Sequence, residues 1–269
     1  MVSERERFGR RLSGDGIEIG PGSSPFPLPS RARVRYVDRW TPAEAKLLYP
    51  ELPEAEFPEP DVVSNLDVDR LDMFPSCSVD FVIASHVLEH LADPLGMLVE
   101  IHRVLRPGGL AVVLLPNRHQ TFDRDRPATT LEHLVDDHAR AVTRVDDEHV
   151  EEFLTLADEG ASFAIAPDPE NREAFFDWHR ERSIHVHCWT EPEFHRVLVY
   201  SIVSLGLSWE FVDRLRSESD GLEFGYLLRR SRVKSFWRRV RATAARAGGV
   251  APASSGGDPS HASASPGRA

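Results

Sequence analysis

The chain has 269 residues, 41% hydrophobic and 28% charged, with a formal charge of −11. That balance suits a folded α/β core with an appendage and excludes collagen-like and membrane-spanning chains. Residues 229–269 hold nine Arg or Lys against Asp258, a local +8 that leaves −19 on the body. An acidic body repels phosphate backbones, so no nucleic-acid partner is expected. Cys77 and Cys188 lie far apart with no CxxC spacing, which speaks against a disulfide framework or a thiolate zinc site.

The opening MVSERERFGRRL is charged and lacks a secretory apolar run, so a cytoplasmic protein is expected. Residues 16–20 read as a first strand running into Gly20-Pro21-Gly22, where glycines let backbone approach a ligand with no Cβ between. GxG alone also describes a plain tight turn. The following Ser23-Ser24-Pro25-Phe26-Pro27-Leu28-Pro29 cannot make a regular helix, so this crossover is expected to be extended or one short turn. Residues 34–37 form the second strand, ending at Asp38, where an acid can take the ribose hydroxyls of an adenosine cofactor.

After a Pro- and Glu-rich stretch over residues 42–60 come a weak third strand at 62–63 and a buried fourth at 79–84. A helix is N-capped by Asp93, begins at Pro94 and stops at Pro107-Gly108-Gly109. The fifth strand covers 110–115. Residues 117–185 turn polar, acidic and His-rich, and read as an inserted helical cap. A helix over 191–205 and an antiparallel pair at 208–213 and 222–228 close the sheet.

The predicted architecture is a Rossmann-like α/β sheet, mostly parallel with an antiparallel closing strand, carrying a helical cap. Its segments are a core (1–116), cap (117–189), closing helix and strands (190–230) and a basic helix with a disordered tail (231–269).

Glu18-x-Gly20-x-Gly22, Asp38, Asn65-Leu66-Asp67, the string from Ser78 to Ile83, Ser85-His86-Val87-Leu88-Glu89-His90-Leu91 and Arg103-Val104-Leu105-Arg106-Pro107-Gly108-Gly109 together resemble the class I S-adenosylmethionine-dependent methyltransferases of the type 11 group. The resemblance spans roughly residues 16–118. FDRDRP from Phe122, TLEHL from Thr130 and IHVHCWT from Ile184 are similar to one bacterial subfamily of that group.

The resemblance implies S-adenosyl-L-methionine as cofactor, with Glu18, Gly20 and Gly22 shaping the loop around its methionine and ribose. Asp38 would take the ribose hydroxyls, Asp67 or Leu66 the adenine edge, and Ser85 and His86 would line the pocket. His86, or a cap histidine, could serve as base for a hydroxyl acceptor. His90 is expected to pack locally within a helix.

His185 and His187 would share one face of an extended segment, and His133 and Asp137 lie one helical turn apart. Hydrogen-bonded structural pairs are the commoner outcome, so no metal is expected. Asp123, Asp125 and Arg126 are expected to form salt bridges within the cap.

The leading function is methyl transfer to a small-molecule or saccharide acceptor. The alternative is a catalytically silent binding protein of the same fold. An adenine-dinucleotide oxidoreductase is disfavoured because GxGxxG is absent: the third position is Pro25. Val233, Phe236, Trp237, Val240 and Ala244 recur at helical spacing among arginines. Residues 231–246 would pack on the acidic body or make peripheral contact with the inner membrane face. No sequence feature sets an oligomeric state.

Overall fold

The computed structural model describes residues 3–157, 170–182, 184–216 and 221–232. Helix α1 (Glu4–Gly9) starts at a capping box formed by Ser3 and Glu6. Strands β1 (Gly14–Ile19) and β2 (Ala32–Asp38) pair in parallel, with Ile19 opposite Val37. The crossover between them contains no helix, as its prolines dictate. Helix α2 (Pro42–Leu48) was not expected in the Pro- and Glu-rich stretch. Its Pro42 occupies the first helical turn, where proline costs nothing, and Thr41 caps it with Glu44.

Strand β3 (Val62–Val63) pairs with the end of β2, and β4 (Val79–Ser85) pairs with β1. Helix α3 (Pro94–Val104) is capped by Asp93, which accepts the Gly96 N–H at 2.7 Å. It ends earlier than the Pro107-Gly108-Gly109 stop, because β5 (Leu105–Pro116) begins at once. Leu105 pairs with Val79 and the ladder resumes at Leu110 opposite Phe81, so residues 106–109 bulge out, with Gly108 at φ +96°.

The cap contributes α4 (Leu131–Arg140), α5 (Asp147–Leu156) and α6 (Arg172–Glu181). Helix α7 (Glu191–Val203) and strands β6 (Trp209–Leu215) and β7 (Glu223–Arg230) complete the fold. The sheet order is β3-β2-β1-β4-β5-β7-β6. All strands run parallel except β7, which enters between β5 and β6 and is antiparallel to both. This is a Rossmann-like sheet with an antiparallel closing strand, each of the last two strands ending two residues beyond its expected end.

On one sheet face α3 and α7 bury Leu95, Leu98, Ile101, Phe194 and Leu198 against Ile17, Val82 and Val113. On the other, Phe8 and Leu12 join Phe26 over Phe81, Ile83 and Leu114. The cap has its own core of Val145, Val150, Phe153, Phe176 and Val186. Residues 1–232 form one compact unit, and the expected basic helix lies almost entirely beyond the described residues. Among the described residues no helix is long and apolar enough to cross a membrane.

Candidate cofactor and acceptor site

Open α/β sheets bind ligands outside the carboxyl ends of their strands. Here a cavity of about 600 Å³ opens at the ends of β1 to β4, within the range of small-molecule sites. Gly20, Gly22, Asp38, Leu66, Asp67 and His86 all line it. Gly20 and Gly22 hold φ of +60° and +51°, a region that disfavours side chains, and a Cβ at Gly20 would lie 2.9 Å from Val87 Cγ2. The Asp38 carboxylate accepts the Arg39 N–H at 2.7 Å and also draws on the amides of Gly22 and Trp40, which ties the glycine loop to the end of β2. Asp67 accepts the Ala92 N–H at 2.8 Å. Burial raises both carboxyls above their ordinary values despite these bonds.

Glu18 and Ser85 do not reach the cavity wall. Glu18 is 2% exposed and lies behind the loop, where its carboxylate accepts the Phe26 N–H at 2.9 and 3.2 Å. Burial pushes it up to about 7. It shapes the loop without facing the space the loop encloses. Ser85 belongs to β4, and its Oγ is buried with no hydrogen-bond partner.

His86 follows at φ +56°, an unusual backbone state at the strand exit, with its N–H donated to Leu114. Its Nε2 lies 2.9 Å from Glu223 and its Nδ1 3.5 Å from Glu89. Burial opposes charge on the ring, but the two carboxylates outweigh it and push His86 up to about 9. With Glu223 on Nε2 and Glu89 near Nδ1, the ring is biased toward its charged form, which disfavours it as a base at neutral pH.

Two other histidines have the character of a base. His90 sits in a single 3₁₀ turn and lines the cavity instead of packing locally within a helix. Its Nδ1 donates to the Ile184 carbonyl at 3.0 Å, and burial lowers its pKa, so the ring stays neutral with Nε2 bare. His185 Nδ1 lies 2.6 Å from Asp123 Oδ2, and the ring lines the cavity beside Phe122. Asp123 is fully buried and also bonds Arg126 at 2.7 Å. Burial would raise its pKa, but His185 and Arg126 outweigh it, so the carboxylate stays ionised. An ionised acid on Nδ1–H fixes the tautomer that leaves Nε2 as a proton acceptor. The His90 and His185 rings meet edge to face at 4.9 Å.

Arg126 is a fully buried cation of the cap, bonded to Asp123, Glu152 and the carbonyls of His185 and Val186, so the expected Asp123–Arg126 salt bridge forms. The expected pairing of His185 with His187 does not. His185 belongs with Glu89 and His90, whereas His187 is fully buried beside His133 and His149. The segment holds only an isolated bridge, at Trp189, and no ladder enforces a two-residue alternation there. A second cavity of about 410 Å³ shares Arg39, Asn65, Asp67, His90 and Ile184 with the first and has polar walls at Thr143, Arg144 and Asp177.

Residues 17–113 match the sequence model of the Methyltransferase domain family, type 11. A curated Mycolicibacterium smegmatis protein, described as a probable S-adenosylmethionine-dependent methyltransferase, is 50% identical over 55 residues, 20% of this chain and 21% of that protein. The chain thus matches about a fifth of that relative's length. A Rhodobacter sphaeroides structure named for zinc-dependent alcohol dehydrogenases aligns at TM-score 0.50 and 12% identity, over 85% of this chain and 90% of that one. That likeness shows the fold alone. A Methanosarcina mazei S-adenosylmethionine-dependent methyltransferase aligns at TM-score 0.41 and 17% identity, over 86% and 98% of the two chains.

The seven-stranded sheet and the match over residues 17–113 make this part of the chain similar to the class I S-adenosylmethionine-dependent methyltransferase domain. Within that class, the segment that matches is similar to the type 11 group.

Proposed function

We propose that this protein transfers the methyl group of S-adenosylmethionine to a small-molecule acceptor of the saccharide or other hydroxyl-bearing class. The observation that carries the reading is the continuity of one cavity from Gly20, Asp38 and Asp67 to His90, Phe122 and His185. Asp38 offers a buried carboxylate to the ribose hydroxyls, and the glycine loop leaves room for the methionine portion. Bound there, the cofactor supplies an electrophilic methyl group.

Methyl transfer from a sulfonium depends on in-line positioning and desolvation. A hydroxyl acceptor also has to lose a proton. In our reading the Asp123–His185 pair takes it at Nε2, His90 holds the acceptor, and the cap (117–189) excludes water. The ring of His86 and the carboxylates of Glu89 and Glu223 form a partly buried ionic floor. The free thiols of Cys77 and Cys188 suit a reducing cytoplasm.

The test combines calorimetric titration of S-adenosylmethionine with a screen of acceptors for products one methylene heavier. His185→Gln is expected to keep cofactor affinity and to lower kcat by about 10²–10⁴, the usual worth of a positioned base. Cofactor binding with no product from any hydroxyl acceptor would favour the silent binding protein. Unaltered turnover in His185→Gln would remove this residue from the chemistry.

A further inference from the structure

A second constellation lies in the cap, on the far side of the segment that carries His185. His133 and Asp137 project from successive turns of α4, His149 from the first turn of α5, and His187 from the extended segment before α7. One ligand atom from each lies within 4.8 Å of all the others. His133 Nε2 is 2.9 Å from His149 Nε2 and 3.0 Å from Asp137 Oδ2. A tetrahedral ion with bonds of about 2.0–2.1 Å sets its ligand atoms about 3.4 Å apart; the two close contacts fall a few tenths of an ångström inside that value, and no pair is more than 4.8 Å apart.

The proton inventory points the same way. His149 Nδ1 lies 2.7 Å from Asp146 and donates to it, which leaves His149 Nε2 with a bare lone pair aimed at the cluster. His187 is fully buried, and neither ring nitrogen makes a hydrogen bond of standard geometry. The Ala92 carbonyl lies near the ring and favours an N–H on its side, so the other nitrogen is a second lone pair. Asp137 brings carboxylate charge at 3% exposure, with its Oδ1 bonded to Arg140 at 2.5 Å. His133 Nε2 is the one group of the four that can donate into this centre, against three acceptors. Buried lone pairs that outnumber their donors are the signature of a missing cation.

We propose that His133, Asp137, His149 and His187 bind a divalent transition-metal ion of the zinc type, in a closed tetrahedral site. Three imidazoles and one carboxylate are borderline ligands that suit zinc better than magnesium or calcium. Each second shell is in place: Asp146 behind His149, the Ala92 carbonyl beside His187, and Arg140 on Asp137. With four protein ligands and no open position, the ion is structural. It ties α4, α5 and the segment 184–188 together, and that segment holds His185 at the cavity wall.

The test uses the full chain, stripped with a chelator and titrated with Co²⁺ alone, followed by competition with Zn²⁺. One equivalent of Co²⁺ should give the intense visible bands of a four-coordinate site, which Zn²⁺ should abolish. His149→Ala should lose those bands with its circular dichroism unchanged. Asp146→Asn, an exposed position whose side chain still caps α5, should weaken Co²⁺ binding by about 10–100-fold. Wild-type protein that takes up no Co²⁺, or shows only the weak spectrum of a six-coordinate ion, would overturn the proposal whatever the variants do. So would a folded His149→Ala protein with wild-type spectrum and affinity.

Discussion

Glu18→Gln separates a residue that holds the cofactor loop from one that touches the cofactor. The buried carboxyl is pushed from 4.5 up to about 7, chiefly by burial, with the Phe26 N–H and Arg5 opposing. A raised carboxyl pKa means that the folded state favours the protonated form. The resulting penalty is absent below the unfolded value near 4.5, grows as pH rises, and is complete above about 7. At about 1.4 kcal/mol per unit the full penalty is about 3 kcal/mol. Glutamine keeps an oxygen for the Phe26 N–H and cannot ionise, so the variant should escape that loss. In thermal unfolding the wild-type Tm should drop relative to the variant by roughly 6–12 °C between pH 4.5 and 8. Affinity for S-adenosylmethionine should be unchanged, because Glu18 stands behind the loop. Parallel Tm curves for the two proteins would refute the buried ionisation, and a large loss of affinity would place the carboxylate in the cavity.

Asp38→Ala should weaken S-adenosylmethionine binding by about 2 kcal/mol in a direct titration, because a charged acceptor loses two hydroxyl partners; unchanged affinity would take Asp38 out of the site. Gly20→Val should abolish binding while circular dichroism stays native, since φ is +60° and the new side chain meets Val87; a variant that binds normally would contradict the loop assignment. His86, pushed up from 6.5 to about 9, favours folding fully below pH 6.5 and loses that contribution as pH rises through 9. Comparing His86→Gln with wild type from pH 6 to 9.5 should show the Tm gap closing as pH rises, and a constant gap would show that folding leaves the ring's pKa unshifted.

Much of the sheet was legible because its strands are short apolar runs bounded by turn residues, and because Asp93-Pro94 marks a helix start by chemistry that needs no tertiary context. Helix α2 was hidden because proline and glutamate read as loop composition, while in place they are its first turn and its capping box. At the cavity, Gly20, Gly22, Asp38 and Asp67 could be singled out because they end or closely follow the first three strands in sequence, and all four line its wall. The charge state of His86 was not, because Glu223 reaches it from a strand 137 positions away. Asp123 and His185 had each been singled out, but a hydrogen bond across 62 positions leaves no spacing to read. The four-residue cluster escaped for the same reason: only the His133 and Asp137 pair is local.

The extended first crossover bears on which cofactor this sheet can hold. A dinucleotide rests its pyrophosphate on the helix that follows β1, whose N-terminal amides and dipole supply the attraction. Here no helix follows β1, and Asp38 engages the Gly22 amide, which would otherwise point to a phosphate. The sheet face such a helix would cover is filled by Phe26 from the loop and by Phe8 and Leu12 at the amino-terminal end. Packing there is so close that a Cβ at Gly9 would lie 2.0 Å from the Pro27 carbonyl oxygen. Glu18 fixes the same loop through Phe26. The apolar work of the missing helix has thus passed to α1 and the proline loop, and its electrostatic work has not been replaced. A sulfonium cofactor carries positive charge and no phosphate, so it loses nothing by this exchange, whereas a pyrophosphate would meet a loop backed by carboxylates. The likeness to a dehydrogenase-named structure therefore stops at the fold, as expected where function resides in the site and not in the sheet.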